Sequence, residues 1–157
     1  MPTSASTAWV SCGTNSCSPN PNAWGDKPGQ APTNYQYDSC RTPFRIGLDY
    51  CWNGNARAKS YVTKTSNFFG GIGASRIVDG YKIDGTPQPA SSGKSAAFIG
   101  TAAVGATSSS SYQSFVDDAY AEIATLRALT GGTYYDDSWT VLSLLALTGN
   151  FIDFTTY

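Results

Sequence analysis

From residue 42 onward, apolar residues recur three and four positions apart along most of the chain, the spacing of one buried helix face. Phe44, Gly47, Leu48 and Cys51 carry the first such stripe. Thr42-Pro43 predicts its start, as an N-cap with proline in the first turn, and Asn53-Gly54 predicts its end. Asn55 caps a second helix with Ala58, Tyr61 or Val62, Thr65 and Phe68/Phe69 on one face, closed by Gly70-Gly71. Ser95 to Ala106 predicts a third, whose alanines and glycines permit close helix packing. Val116, Ala119, Tyr120, Ile123 and Leu126 mark a fourth, ended by Gly131-Gly132. Asp137-Ser138 predicts the start of a fifth, Trp139 to Thr148, apolar on nearly every face and therefore expected to be buried.

Two stretches break this period. Arg76 to Gly85 alternates apolar and polar residues with glycines inside, which predicts a short β-hairpin or two edge strands. Residues 1–36 carry Pro19, Pro21, Pro28 and Pro32 and no sustained periodicity, so they read as a loop-rich N-terminal segment. The pattern as a whole predicts an all-α packing of antiparallel helical hairpins, about five helices plus one short β-hairpin.

Composition narrows the chemistry. The 157 residues suit one domain. Only 13% are charged, against roughly 25% in an ordinary soluble domain. Ser, Thr, Asn, Gln and Gly must wet the surface instead, a style common among exported proteins. Met1-Pro-Thr-Ser shows no basic or apolar leader, so a secreted or periplasmic location is expected of a longer parent, with no signal peptide in this chain. A net charge of -1 gives no footing for nucleic acid, and no apolar run is long enough to span a membrane.

There is no histidine, which removes imidazole bases, imidazole metal ligands and Ser-His or Cys-His nucleophile pairs. Of the 11 acidic residues only Glu122 is a glutamate, and it is expected on the solvent face of its helix. Acid–base work must therefore fall mostly to aspartate and tyrosine. No cofactor is expected. The spacing of Cys12, Cys17, Cys40 and Cys51 does not match a paired zinc arrangement, so no metal is expected either. Cys12 and Cys17 can close a small disulfide ring, while Cys40 and Cys51 are expected as buried thiols.

Other residues have ordinary readings. Asp79 and Asp84 are expected to cap turns, Asp117-Asp118 to sit on a solvated face, and Asp136-Asp137 to cap a helix. Trp52 and Trp139 are expected in the core; Trp24, in a loop, is the best candidate for an exposed aromatic platform. Gly70-Gly71-Ile72-Gly73 lacks the lysine of a phosphate loop.

The segment richest in chemistry is Tyr37-Asp38-Ser39-Cys40-Arg41-Thr42-Pro43. Asp38 precedes a helix, where unpaired N–H groups favour a carboxylate, and Arg41 is near enough to pair with it or with a sugar oxygen. Such a carboxylate, flanked by Tyr37 and Arg41, can hold and activate a water. It can equally be a helix cap with a structural ion pair.

Tyr37-Asp38-x-x-Arg41-x-Pro43-x-Arg45-Ile46 and Asp49-Tyr50-x-Trp52-x-Gly54-x-x-Arg57-Ala58-Lys59 resemble glycoside hydrolase family 8. So do Val78-Asp79-Gly80-Tyr81 with Asp84-Gly85, Ala97-Phe98-Ile99-Gly100, and Tyr134-Tyr135-Asp136-Asp137-Ser138 with Leu142 to Leu145. The resemblance runs in order from about residue 35 to the C-terminus. It implies an (α/α)6 toroid and an inverting endo-glycosidase on a β-1,4-linked polysaccharide, cellulose or β-glucan first, xylan or chitosan otherwise. Carried across, Asp38 is the general base, Tyr37 and Arg41 position it, and Tyr134 and Tyr135 contact sugar. The family's acid, a glutamate, and its preceding sugar-binding segment have no match. Residues 37–157 thus resemble the C-terminal portion of the catalytic domain, an incomplete toroid, after the loop-rich residues 1–36. The chain alone is then expected to be inactive or very weak, or to serve as a non-catalytic carbohydrate-binding or assembly fragment. Its exposed apolar surface is expected to self-associate or to be covered by an N-terminal half.

Overall fold

A computed structural model of the protein describes residues 10–12, 17–19, 34–89, 93–130 and 133–153. The five expected helices are α1 (Arg41–Asn53), α2 (Ala56–Ile72), α3 (Ala96–Ala106), α4 (Gln113–Thr130) and α5 (Tyr134–Leu147). Gly54, in the left-handed region at φ 64°, turns α1 directly into α2 and sends its N–H to Tyr50 O. The Asn55 side chain then caps α2 by accepting from Arg57 N and Ala58 N.

Helix α3 is the centre. All eleven of its residues are buried, and α1, α2, α4 and α5 pack on it. Its glycines set how closely they approach. A Cβ at Gly100 would stand 2.4 Å from Ser143 Oγ on α5 and 3.2 Å from Ile123 Cδ1 on α4. Gly47 of α1 faces the α3 backbone so closely that a Cβ there would lie 3.0 Å from both Gly105 Cα and Val104 O. Phe69, Phe98, Ile99 and Ile123 fill the remaining interior.

The expected hairpin at 76–85 does not form. Tyr81 instead bridges Tyr35 and Pro87, exchanging Tyr35 N→Tyr81 O (2.8 Å) and Tyr81 N→Tyr35 O (2.9 Å). The cause is local: Asp84 accepts from Thr86 N at 2.9 Å and Thr86 Oγ1 at 2.7 Å, and Gly85 sits at φ 85°. That tight turn leaves too few consecutive residues to run as strands. Asp84 thus caps a turn as expected. The hairpin that does form lies within the segment read as loop: β1 (Val10–Cys12) pairs antiparallel with β2 (Cys17–Pro19). Cys12 and Cys17 are cross-strand partners there; their side chains, like Trp24, lie outside the described residues.

Three further expectations are corrected. Helix α5 is not buried all round: Trp139 and Ser143 face the core, whereas Val141 and Leu145 are exposed, because α3 and α4 cover only one of its sides among the described residues. Trp52, at the end of α1, is 41% exposed and stacks on Phe151 with centroids 6.0 Å apart. Cys40 is buried, but Cys51, in the last turn of α1, is exposed, since it meets Thr107 just past the end of α3.

Candidate active site

Residues 36–40 are already wound before α1 begins. Ser39 N and Cys40 N both donate to Gln36 O, and Thr42 N donates to Ser39 O. The helix therefore starts at Arg41 with Cys40 in the cap position and no side-chain cap; Thr42, expected as the cap, lies inside the first turn. This winding places Asp38 and Arg41 one turn apart. The Arg41 guanidinium makes an ion pair with Asp38 Oδ1, and its Nε donates to Asp38 O at 3.4 Å. With both side chains partly exposed, the pair adds little stability. Its effect is to fix the direction of a carboxylate that solvent can reach.

Tyr37 is held more firmly. Its hydroxyl donates to Asp79 Oδ2 at 3.2 Å, and its ring meets Phe98 edge-on at 5.1 Å and Tyr135 at 5.7 Å. Burial, and then the Asp79 charge, push the Tyr37 phenol well above its usual value, so it stays a protonated donor. Tyr135 packs between Tyr37 and Trp139 and donates to Tyr37 O at 3.4 Å. Its phenol is pushed up to about 12, chiefly by burial and then by Cys40.

Two carboxylates knit this cluster to other helices. Asp79 comes from the long connection between α2 and α3, where its N–H donates to Gly93 O. Asp136 lies in the first turn of α5, hydrogen-bonded with the Thr133 side chain, and also accepts from Ser95 Oγ at 2.7 Å. Ser95 in turn caps α3 through Ala97 N. The N-terminal ends of α1, α3 and α5 therefore meet at one place, with Asp38, Asp79 and Asp136 around them. Unpaired N–H groups at those ends favour anions there.

Of Tyr134 and Tyr135, both expected to contact sugar, only Tyr135 joins the cluster, and Tyr134 is 90% exposed. Asp79 and Ser95, expected as a turn cap and a helix start, carry no local signal for the site. Glu122 is not brought to it either. Rather than standing free on a solvent face, it is partly buried and ion-paired with Lys94 at 2.5 Å.

Residues 17–149 match the model for glycosyl hydrolases family 8. The chain is 38% identical to Endoglucanase A of Acetivibrio thermocellus over 118 residues, which cover 74% of this chain and 24% of that protein. It is 34% identical to Endoglucanase C of Ruminiclostridium cellulolyticum over 123 residues, 78% of this chain and 26% of that one. In structure it resembles an apo β-1,3-1,4-glucanase from Paenibacillus sp. X4, with TM-score 0.77 and 28% identity over 92% of this chain and 37% of the other. The chain thus spans about a quarter of the length of the endoglucanases it matches. Its all-α build of five helices is consistent with a fragment of a family 8 toroid. Match, identity and fold agree, and the chain belongs to glycosyl hydrolases family 8.

Proposed function

We propose that this chain carries the general-base half of an inverting glycosidase acting on β-1,4-linked glucan. The observation that carries the reading is the Asp38–Arg41 pair at the N-terminus of α1, beside the Tyr37 hydroxyl, in a chain of family 8. Asp38 takes the proton from a water as that water attacks the anomeric carbon; Arg41 and Tyr37 hold the base and the water in line. Tyr135 braces Tyr37, and Tyr134 is free to reach sugar bound above. The names of the related endoglucanases favour glucan over xylan or chitosan.

An inverting reaction also needs an acid about 6.5–9.5 Å from the base, with room for water between. Glu122, committed to Lys94, does not supply it. The acid belongs to the part of the family fold outside this sequence, and the isolated chain is inactive. That same part covers the outer face of α5, where Val141 and Leu145 share one exposed side.

The test is reducing-end release from carboxymethylcellulose, barley β-glucan, xylan and chitosan. It compares the chain alone with the chain joined to the remainder of a family 8 domain, each beside Asp38→Asn. Turnover in the joined protein only, abolished by Asp38→Asn and yielding the inverted anomer, supports the reading. Undiminished turnover in Asp38→Asn sinks it.

A further inference from the structure

A groove of about 390 Å³ lies between α2 and the 81–85 turn. It takes Tyr35 and Ser39 from the segment that bears Asp38, but neither Tyr37, Asp38 nor Arg41 lines it. Its volume falls in the roughly 300–1,000 Å³ range of small-molecule sites. We propose that this groove is an accessory site for a β-linked gluco-oligosaccharide, a reading that rests on the glucan specificity argued above.

The wall chemistry selects this ligand. Tyr61 and Phe68, each 36% exposed, present ring surface to the groove beside the more exposed Ile83. The turn lies directly on the Phe68 ring: a Cβ at Gly85 would stand 2.9 Å from Phe68 Cε2. Aromatic faces of this kind accept the apolar C–H faces of pyranose rings, and an extended β-linked chain presents such faces to an open groove. The rim is polar without being strongly charged. Lys64 and Lys82 are balanced in part by Asp84, so the groove offers donors and an acceptor but holds too little charge for a polyanion.

The experiment is a titration of the isotope-labelled chain with cellotetraose, read on backbone amide resonances, with maltotetraose as the α-linked control. The expected result is saturable shifts at Lys82–Gly85 and Lys64–Phe68 with cellotetraose, unaltered by Asp38→Asn. Tyr61→Ala should bind about tenfold more weakly, the loss of one ring's apolar contact. Ile83→Asp, at a 73% exposed position that folding does not depend on, should weaken binding in the same direction. Shifts confined to Tyr37–Arg41 and Tyr135 overturn the groove and leave the glucan reading standing. Equal or tighter response to maltotetraose overturns the linkage assigned. Proton contacts from Tyr61 or Phe68 to residues before Asn34 in the sugar-free protein also overturn it, because the chain then fills its own groove. No shift at millimolar sugar overturns it as well, and the hydrolysis test then decides the glucan reading independently.

Discussion

The Tyr37 hydroxyl donates to Asp79 Oδ2 across 42 residues of chain, tying the turn that precedes α1 to the connection that leads into α3. Tyr37 thereby becomes a fixed wall beside Asp38. The bond also sets the proton state of the phenol, since a carboxylate next to it opposes ionisation.

Alkaline pH should expose this arrangement. Tyr37 and Tyr135 both have raised folded-state values, so the native chain keeps protons that the unfolded chain releases above about pH 10. Their contribution is complete below pH 10 and is lost as pH rises, for Tyr135 through about 12 and for Tyr37 beyond it. Urea midpoints measured at rising pH should fall across that window, and Tyr135→Phe should flatten the fall. Asp79→Asn keeps an acceptor but removes the charge, so the Tyr37 phenol should ionise at lower pH in ultraviolet difference spectra. An unmoved titration in Asp79→Asn would show that burial alone sets it.

Close packing around α3 makes a second prediction. Gly100→Ala drives a Cβ into Ser143 and Ile123, and should destabilise by about 1–3 kcal/mol despite alanine's better helix propensity. Adding Ser143→Gly removes the atoms in the way and should recover part of that loss in a double-mutant cycle. Gly47→Ala should have no comparable rescue, because its obstruction is the α3 backbone. Strict additivity of Gly100→Ala and Ser143→Gly would refute the crossing geometry.

The fold was legible where signals are local. Asn55 and Ser95 are helix caps whose own side chains do the capping, so the sequence marks the starts of α2 and α3 closely. Helix α5 begins earlier than Asp137 because Thr133 caps it, and Tyr134 and Tyr135 occupy its first turn. The alternation at 76–85 misled because a side-chain-capped turn and a bridge to Tyr35 compete with strand pairing. Asp38 and Arg41 were legible because one helical turn joins them. Asp79 and the Ser95–Asp136 bond were not, since each link spans about forty residues and only the packing of α3 brings its ends together.

Thiol chemistry supplies a third prediction. Directly opposed residues of an antiparallel pair stand about 4.5–5.5 Å apart at Cα, within disulfide range. The Cys12–Cys17 register therefore suits the small ring expected from the sequence. A thiol reagent should label Cys51 quickly in the native chain, Cys40 only on unfolding, and Cys12 and Cys17 only after reduction. Four reactive thiols in the unreduced, unfolded chain would rule the ring out.

The outer side of α5 makes the last. Tyr134, Val141 and Leu145 lie seven and four residues apart, on the side away from Trp139 and Ser143, with exposures of 90%, 56% and 39%. Such a face on a lone chain favours association, driven by roughly 25 cal/mol for each Å² of apolar surface withdrawn from water. Sedimentation velocity should show the average mass rising with concentration. Val141→Lys with Leu145→Lys should return the chain to monomer, while the helical circular dichroism stays unchanged because neither side chain enters the core. A chain that is monomeric at every concentration would mean that this face needs no cover. A double variant that loses its helical signal would mean instead that α5 depends on these residues for its own folding.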